Sequence, residues 1–265
     1  MEIVDSQVHA NQRGIDQSLA IMDAIGISAA VIDIWPPVRR KLPNGITRFE
    51  YPFAEEAVAR FPGRFAYVAR FDPNDPEIDD LMAQVRTAPG RLCVRLASGF
   101  DLKVLREGGH ERILAAAGKH SVPVMVYPGG EYTALTNYVT KFDRVQFIID
   151  HVGMGVERAT LPNQLQATID HLLAFAKYPN AAVKWGHAPR LSHQPFPYPD
   201  VITQLSRVID AFGAKRLMWA SDYTVTTDHH TCAESLFCLR GSDQLSESDK
   251  EWLLGKSVRT LLAWP

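Results

Sequence analysis

Eight short apolar runs recur along the chain: Ile3–Val8, Ala29–Ile34, Phe65–Phe71, Leu92–Leu96, Val122–Tyr127, Val145–Ile149, Ala181–Trp185 and Arg216–Ala220. Each has the length of a buried strand. Most are near-continuously apolar, the pattern of a parallel sheet whose outer face is covered by helices. The segments between them switch to helical spacing. In Asp16–Gly26, Leu19, Met22 and Ile25 recur at threes, and Gly26 is placed to end the helix. Glu111–His120, Leu165–Tyr178 and Val201–Phe212 carry apolar residues along one side in the same way. Eight strand-and-helix units predict an α/β fold, a (β/α)₈ barrel of the TIM type, with residues 1–265 as one domain. Trp35–Tyr51 contains three prolines and reads as a long loop, and Ser246–Trp264 reads as a C-terminal helical closure. The rival, an open doubly wound sheet, calls for a glycine-rich turn after the first strand, and Ala10-Asn11-Gln12-Arg13-Gly14 is not one.

Composition narrows the function classes. The 265 residues are 46% hydrophobic and 22% charged, with a formal net charge of −2, which gives no electrostatic case for nucleic acid or an anionic membrane. No apolar stretch approaches the roughly 20 residues needed to span a bilayer. The start M-E-I-V-D has no basic segment before an apolar run, so a soluble cytoplasmic protein is expected. Cys93, Cys232 and Cys238 are too scattered for a metal knuckle or a disulfide framework. Nothing in the pattern predicts an oligomer.

The chemistry of such a barrel sits where its strands end. There the chain places Gln7 and His9, then Trp35, Asp72, Arg95, Tyr127, Asp150 and His151, Lys184, and finally Ser221 and Asp222. Polar side chains closing apolar runs must meet water, a ligand or each other. Asp5 and Asp150 read as loop caps. His110, His120, His171 and the His229-His230 pair read as surface residues, and His187, His193 and Arg190 as candidates for the pocket mouth.

Four pieces, I3-V-D-S-Q-V-H9, F147-I-I-D-H-V-G153, N180-A-A-V-K184 and R216-L-M-W-A-S-D-Y223, resemble the amidohydrolase superfamily. The likeness is to its amidohydrolase-related branch, which includes 2-pyrone-4,6-dicarboxylate and sugar-acid lactonases. The resemblance implies a barrel enzyme that hydrolyses esters, lactones or amides, with a sister branch of decarboxylases. The family pattern at the first strand is His-x-His, but here it reads Gln7-Val8-His9, and Tyr127 stands where metal-dependent members take a fifth-strand ligand. A carboxamide and a neutral phenol are poor zinc ligands. A metal-free site is therefore the first reading, and one divalent ion such as zinc on His9, His151 and Asp222 is the second.

Without an ion, a lactone or other ester of a carboxylated small molecule can still be opened by water. Asp222 is the expected base, with His9 and His151 beside the carbonyl as catalytic partners. Gln7, Arg95, Tyr127 and Lys184 are the expected substrate contacts, Arg95 as a carboxylate clamp. The competing readings are a metal-dependent decarboxylase and an idle barrel that only binds a small ligand.

Overall fold

The computed structural model describes residues 1–96, 102–154, 164–223 and 229–265. Its strands are β1 (Val4–Val8), β2 (Ala29–Ile32), β3 (Val38–Lys41), β4 (Thr47–Glu50), β5 (Phe65–Ala69), β6 (Arg91–Arg95), β7 (Val124–Val126), β8 (Phe147–Ile149), β9 (Ala181–Trp185) and β10 (Leu217–Trp219). Eight of them form one sheet in the order β1-β2-β5-β6-β7-β8-β9-β10, with every neighbouring pair parallel. The sheet's two ends meet. Val8 bridges to Tyr223 just past β10, the His9 amide donates to the Tyr223 carbonyl at 2.8 Å, and the Asp222 amide donates to the Gln7 carbonyl at 3.0 Å. This nearly closed (β/α)₈ barrel is the architecture the pattern predicts; seven of the eight expected runs contain its strands, and Leu92–Leu96 overlaps β6 in all but Arg91.

One segment differs from expectation. Trp35–Tyr51 is not a plain loop: β3 and β4 pair antiparallel within it as a separate hairpin. The turn is Leu42-Pro43-Asn44-Gly45, closed by Leu42 and Ile46, with Gly45 at φ +85°, a conformation that favours glycine. Charged and polar residues cover both faces of the hairpin, so hydrophobic alternation gives no strand signal there.

Strand periodicity divides the core in two. Ala30, Ile32, Phe65, Tyr67, Val94, Val124, Val126, Phe147, Ile149 and Val183 pack outward against the helices. Val4, Ala29, Val31, Ala66, Val68, Cys93, Met125, Ile148, Ala182 and Met218 fill the barrel interior. Val258 joins that inner cluster from the helix Ser257–Leu261, and Leu262 and Trp264 join it from just past that helix, which a π-helical stretch, Trp252–Lys256, connects to Glu247–Glu251. Gly255 lies so close to the segment before β1 that an added Cβ would sit 2.5 Å from the Glu2 carbonyl. The expected closure thus seals the end of the barrel where the strands begin, leaving the other end for chemistry. Among the described residues, no helix is long and apolar enough to cross a membrane.

Candidate active site

Two residues beyond the last inward apolar residue, six strands each deliver a charged or phenolic side chain. Val31 leads to Asp33, Val68 to Arg70, Cys93 to Arg95, Met125 to Tyr127, Ile148 to Asp150 and Ala182 to Lys184. The alternation that builds the apolar plug therefore also builds a polar tier on top of it. β1 joins by a different route. Its register against β2 shifts between Asp5 and Val8, and the irregularity brings the Gln7 side chain to Lys184.

The tier is a chain of ion pairs. Arg70 holds Asp33 at 2.5 Å, and Arg95 reaches the other Asp33 oxygen. Arg95 Nε also donates to Asp150 at 2.7 Å, and Asp150 in turn meets Lys184 Nζ at 2.7 Å. Lys184 completes its shell with Gln7 Oε1 at 2.6 Å and Met125 Sδ at 3.0 Å. Burial by itself would raise the Asp33 and Asp150 carboxyls. Arg70 and Arg95 outweigh it for Asp33, as Arg95 and Lys184 do for Asp150, and both groups stay below the usual carboxylate range. Arg95 is therefore not the free substrate clamp the sequence suggests, because three of its five N–H groups are engaged by Asp33, Asp150 and His151. Lys184 does not reach solvent at all.

Above this tier lies Asp222, fully buried beside three imidazoles. His151 Nδ1 and His187 Nε2 each stand 3.4 Å from its Oδ2, and His9 Nε2 stands 3.8 Å from its Oδ1. Burial pushes this carboxyl upward too, but His187, His151 and His9 together hold it well below the usual range. The His9 imidazole shifts downward, chiefly through burial. His151, His187 and Asp222 all have left-handed backbone, with φ of +51°, +58° and +51°. Non-glycine residues adopt that region at a cost, and such residues gather at functional sites. Tyr127 is half-buried, with its ring 5.4 Å from that of His151.

Gly186, the residue after β9, makes this crowding feasible. A Cβ there would lie 2.5 Å from Asp222 Oδ2 and 3.4 Å from His151 Nδ1. Gly186→Ala should therefore displace the carboxylate. We expect a fall in turnover of about 10²-fold, the scale of a 1 Å misplacement, with cooperative unfolding retained. Steady-state kinetics beside thermal denaturation checks it, and unaltered turnover would show that Asp222's position is not critical.

His151, His187 and Asp222 each offer a ligand atom, all within 4.8 Å of one another. Edges of 3.4 Å are also what a tetrahedron of ligands about 2.0–2.2 Å from zinc requires. This set replaces His9 of the expected triad with His187, which the sequence reading places at the pocket mouth and not among the ligands. Protons tell against the set. Arg95 Nη2 lies 3.1 Å from His151 Nε2, and guanidinium only donates, so Nε2 is the acceptor and the proton of neutral His151 sits on Nδ1. An ion on Nδ1 would need that proton gone and leave the ring an imidazolate; an ion on Nε2 would face the guanidinium. As arranged, the residues fit an ion in spacing but not in protonation.

Other expected positions resolve differently. Asp150 is not a loop cap but a member of the ion-pair chain. Asp5 does bond backbone amides, those of Gln7 at 3.1 Å and Ser221 at 2.9 Å, and so ties β1 to the turn that carries Asp222. Burial, eased by Ser221, pushes its carboxyl up to about 7. Asp72 accepts from the Thr47 and Asn74 amides and stays outside the site. Trp35 anchors Asn11 and Gln12 through its carbonyl. His193, His171 and His229 are exposed, whereas His110 and His230 are buried, against expectation. His230 lies within the electrostatic reach of Asp222, and burial brings its imidazole down to about 4.

A family model described as Amidohydrolase matches residues 10–262. Among solved structures, a zinc-bound amidohydrolase from Burkholderia multivorans is 17% identical, with all of both chains covered and a TM-score of 0.80. A candidate 2-pyrone-4,6-dicarboxylic acid hydrolase from Pseudomonas putida is 20% identical, with 99% of this chain and 97% of that chain covered and a TM-score of 0.72. 5-Carboxyvanillate decarboxylase from Sphingomonas paucimobilis is 16% identical, with 93% and 82% covered and a TM-score of 0.62. No curated protein sequence matches the chain.

Proposed function

The chain belongs to the amidohydrolase family, and from that premise we propose that it hydrolyses a lactone or other ester of a carboxylated small molecule without a metal ion. The observation that carries this reading is Asp222, an ionised carboxylate buried among His9, His151 and His187 at 3.4–3.8 Å. A carboxylate and an imidazole facing one space can hold a water molecule between them and draw a proton from it. Attack forms a C–O bond to the carbonyl carbon and places negative charge on the carbonyl oxygen. Tyr127 and the two remaining N–H groups of Arg95 are the donors on hand for that oxygen. Collapse then breaks the ester C–O bond, and the alkoxide takes a proton. A lactone gives a single hydroxy acid, and an open-chain ester an acid and an alcohol.

Arg70, Arg95 and Lys184 set three positive charges against the two of Asp33 and Asp150, and the ionised Asp222 above them balances the third. A substrate carboxylate is therefore met by local N–H and O–H donors rather than by a net positive field.

A panel of sugar-acid lactones, pyrone carboxylates and aryl esters, run beside metal analysis of protein purified without chelator, tests the reading. We expect turnover of a carboxylated member, far less than one equivalent of zinc, and activity that survives chelation. A stoichiometric ion whose removal abolishes activity would favour the decarboxylase alternative. Saturable binding with no turnover of any member would favour the idle barrel.

A further inference from the structure

The hydrogen bonds around His9 run in one direction only. Lys184 Nζ can only donate, so the Gln7 oxygen that meets it at 2.6 Å is an acceptor and the amide orientation is fixed. That turns the Gln7 NH₂ toward His9 Nε2, 3.4 Å away. On the far side of the ring, His9 Nδ1 lies 2.8 Å from the Asp33 carbonyl oxygen, which can only accept, so Nδ1 carries the proton. Both ends of the chain give the same answer: Nδ1 is protonated and Nε2 presents a lone pair. The 3.4 Å contact at Nε2 is long for an N–H···N bond and is the member of the chain a water can displace.

We infer that Lys184 and Gln7 are positioning residues that hold His9 as an acceptor at Nε2, and that His9, rather than Asp222, receives the proton from the attacking water. The inference rests on the hydrolase reading for its step and on the structure alone for its tautomer. In that step the water O–H bond breaks, its proton passes to His9 Nε2, and its oxygen bonds to the carbonyl carbon. The same proton then goes to the departing alkoxide, which restores His9. Asp222, on which the Nδ1–H of His151 converges, orients the water and steadies the imidazolium formed in between. The sequence reading places His9 beside the carbonyl as a catalytic partner, and this tautomer suits it to moving a proton to the leaving alkoxide rather than to donating to the carbonyl oxygen. The inference also gives a purpose to a lysine fully buried inside the barrel, since an ammonium fixes the Gln7 amide in one orientation where a neutral partner would allow two.

Long-range ¹⁵N–¹H correlation spectra of the histidine rings in ¹⁵N-labelled protein test this, with His9 assigned by a His9→Gln variant. The expected wild-type pattern for His9 is protonation at Nδ1 alone. Gln7→Glu presents only acceptors to Nε2, so that pattern should be lost, and kcat should fall about 10²-fold while KM changes little. Lys184→Met frees the amide to turn and should give a mixture of tautomers; should that variant not fold, Gln7→Glu decides alone. A wild-type His9 protonated at Nε2, or a Gln7→Glu protein with unchanged spectrum and kcat, would overturn the inference. The spectrum needs no substrate. A panel with no turnover therefore sinks the hydrolase reading while the tautomer is still decided.

Discussion

Asp222→Asn is expected to lower kcat by about 10³-fold on any ester the wild-type protein turns over, with KM changing much less. The carboxylate is the centre on which three imidazoles converge, at 3.4, 3.4 and 3.8 Å. Asparagine keeps its volume but not its charge, and it turns an NH₂ toward groups that need an acceptor. His151 Nδ1–H and His187 then lose their common partner, water loses the group that orients it, and any imidazolium formed in the reaction loses its counter-charge. The fold should survive, because the side chain keeps its shape and the backbone bonds of its turn, from the Asp222 amide to the Gln7 carbonyl and from the His9 amide to the Tyr223 carbonyl, do not involve the carboxylate. Kinetics on purified variant beside a denaturation curve separates loss of chemistry from loss of folding. Near-full turnover by a folded Asp222→Asn protein would remove Asp222 from the mechanism.

The barrel was legible because both of its signals are local. Continuous β-branched runs mark strands covered on both faces, and helical spacing marks what covers them. The residues the site shares with the sequence reading, His9, His151, Asp222, Gln7, Arg95, Tyr127 and Lys184, stand last, next to last or just past the end of a run, where a polar residue is conspicuous. Asp33 and Arg70 hold the same next-to-last place in Ala29–Ile34 and Phe65–Phe71, but there the residue just past the run draws the reading instead. Counting in twos from Val31 and Val68 finds them, whereas looking for the first polar residue after the run finds Trp35 and Asp72 instead. His187 reads from the sequence only as a candidate for the pocket mouth, for another reason. Its approach to Asp222 depends on a left-handed backbone at φ +58° and on the absence of a side chain at Gly186, and neither leaves a periodic trace. Nor does composition reveal that Arg95 is engaged by two carboxylates: pairing is a property of the tier, and its members come from five different strands.

That pairing makes Arg95→Met the most destabilising of these substitutions, at about 3 kcal/mol near neutral pH. Arg95 links two carboxylates that are essentially inaccessible to water, and methionine removes their common counter-charge without opening a route for solvent. Arg70 still serves Asp33 and Lys184 still serves Asp150, which keeps the cost at the lower end of the range for breaking a buried pair. The effect should depend on pH in a definite direction. Both carboxyls are held below their ordinary value in the folded protein, with burial opposing and Arg95 among the groups that outweigh it. A depressed folded-state value stabilises the fold fully above the unfolded value, about 3.9 for aspartate, and the stabilisation fades as pH falls toward the folded value. Arg95→Met lets both groups drift back up. The gap in unfolding free energy between wild type and variant should thus be constant from pH 7 to about 4.5 and narrow below it. Urea denaturation of both proteins across that range measures the gap directly. A gap that widens on acidification would mean that Arg95 acts by something other than neutralising Asp33 and Asp150, and the ion-pair account of the barrel's polar tier would fail with it.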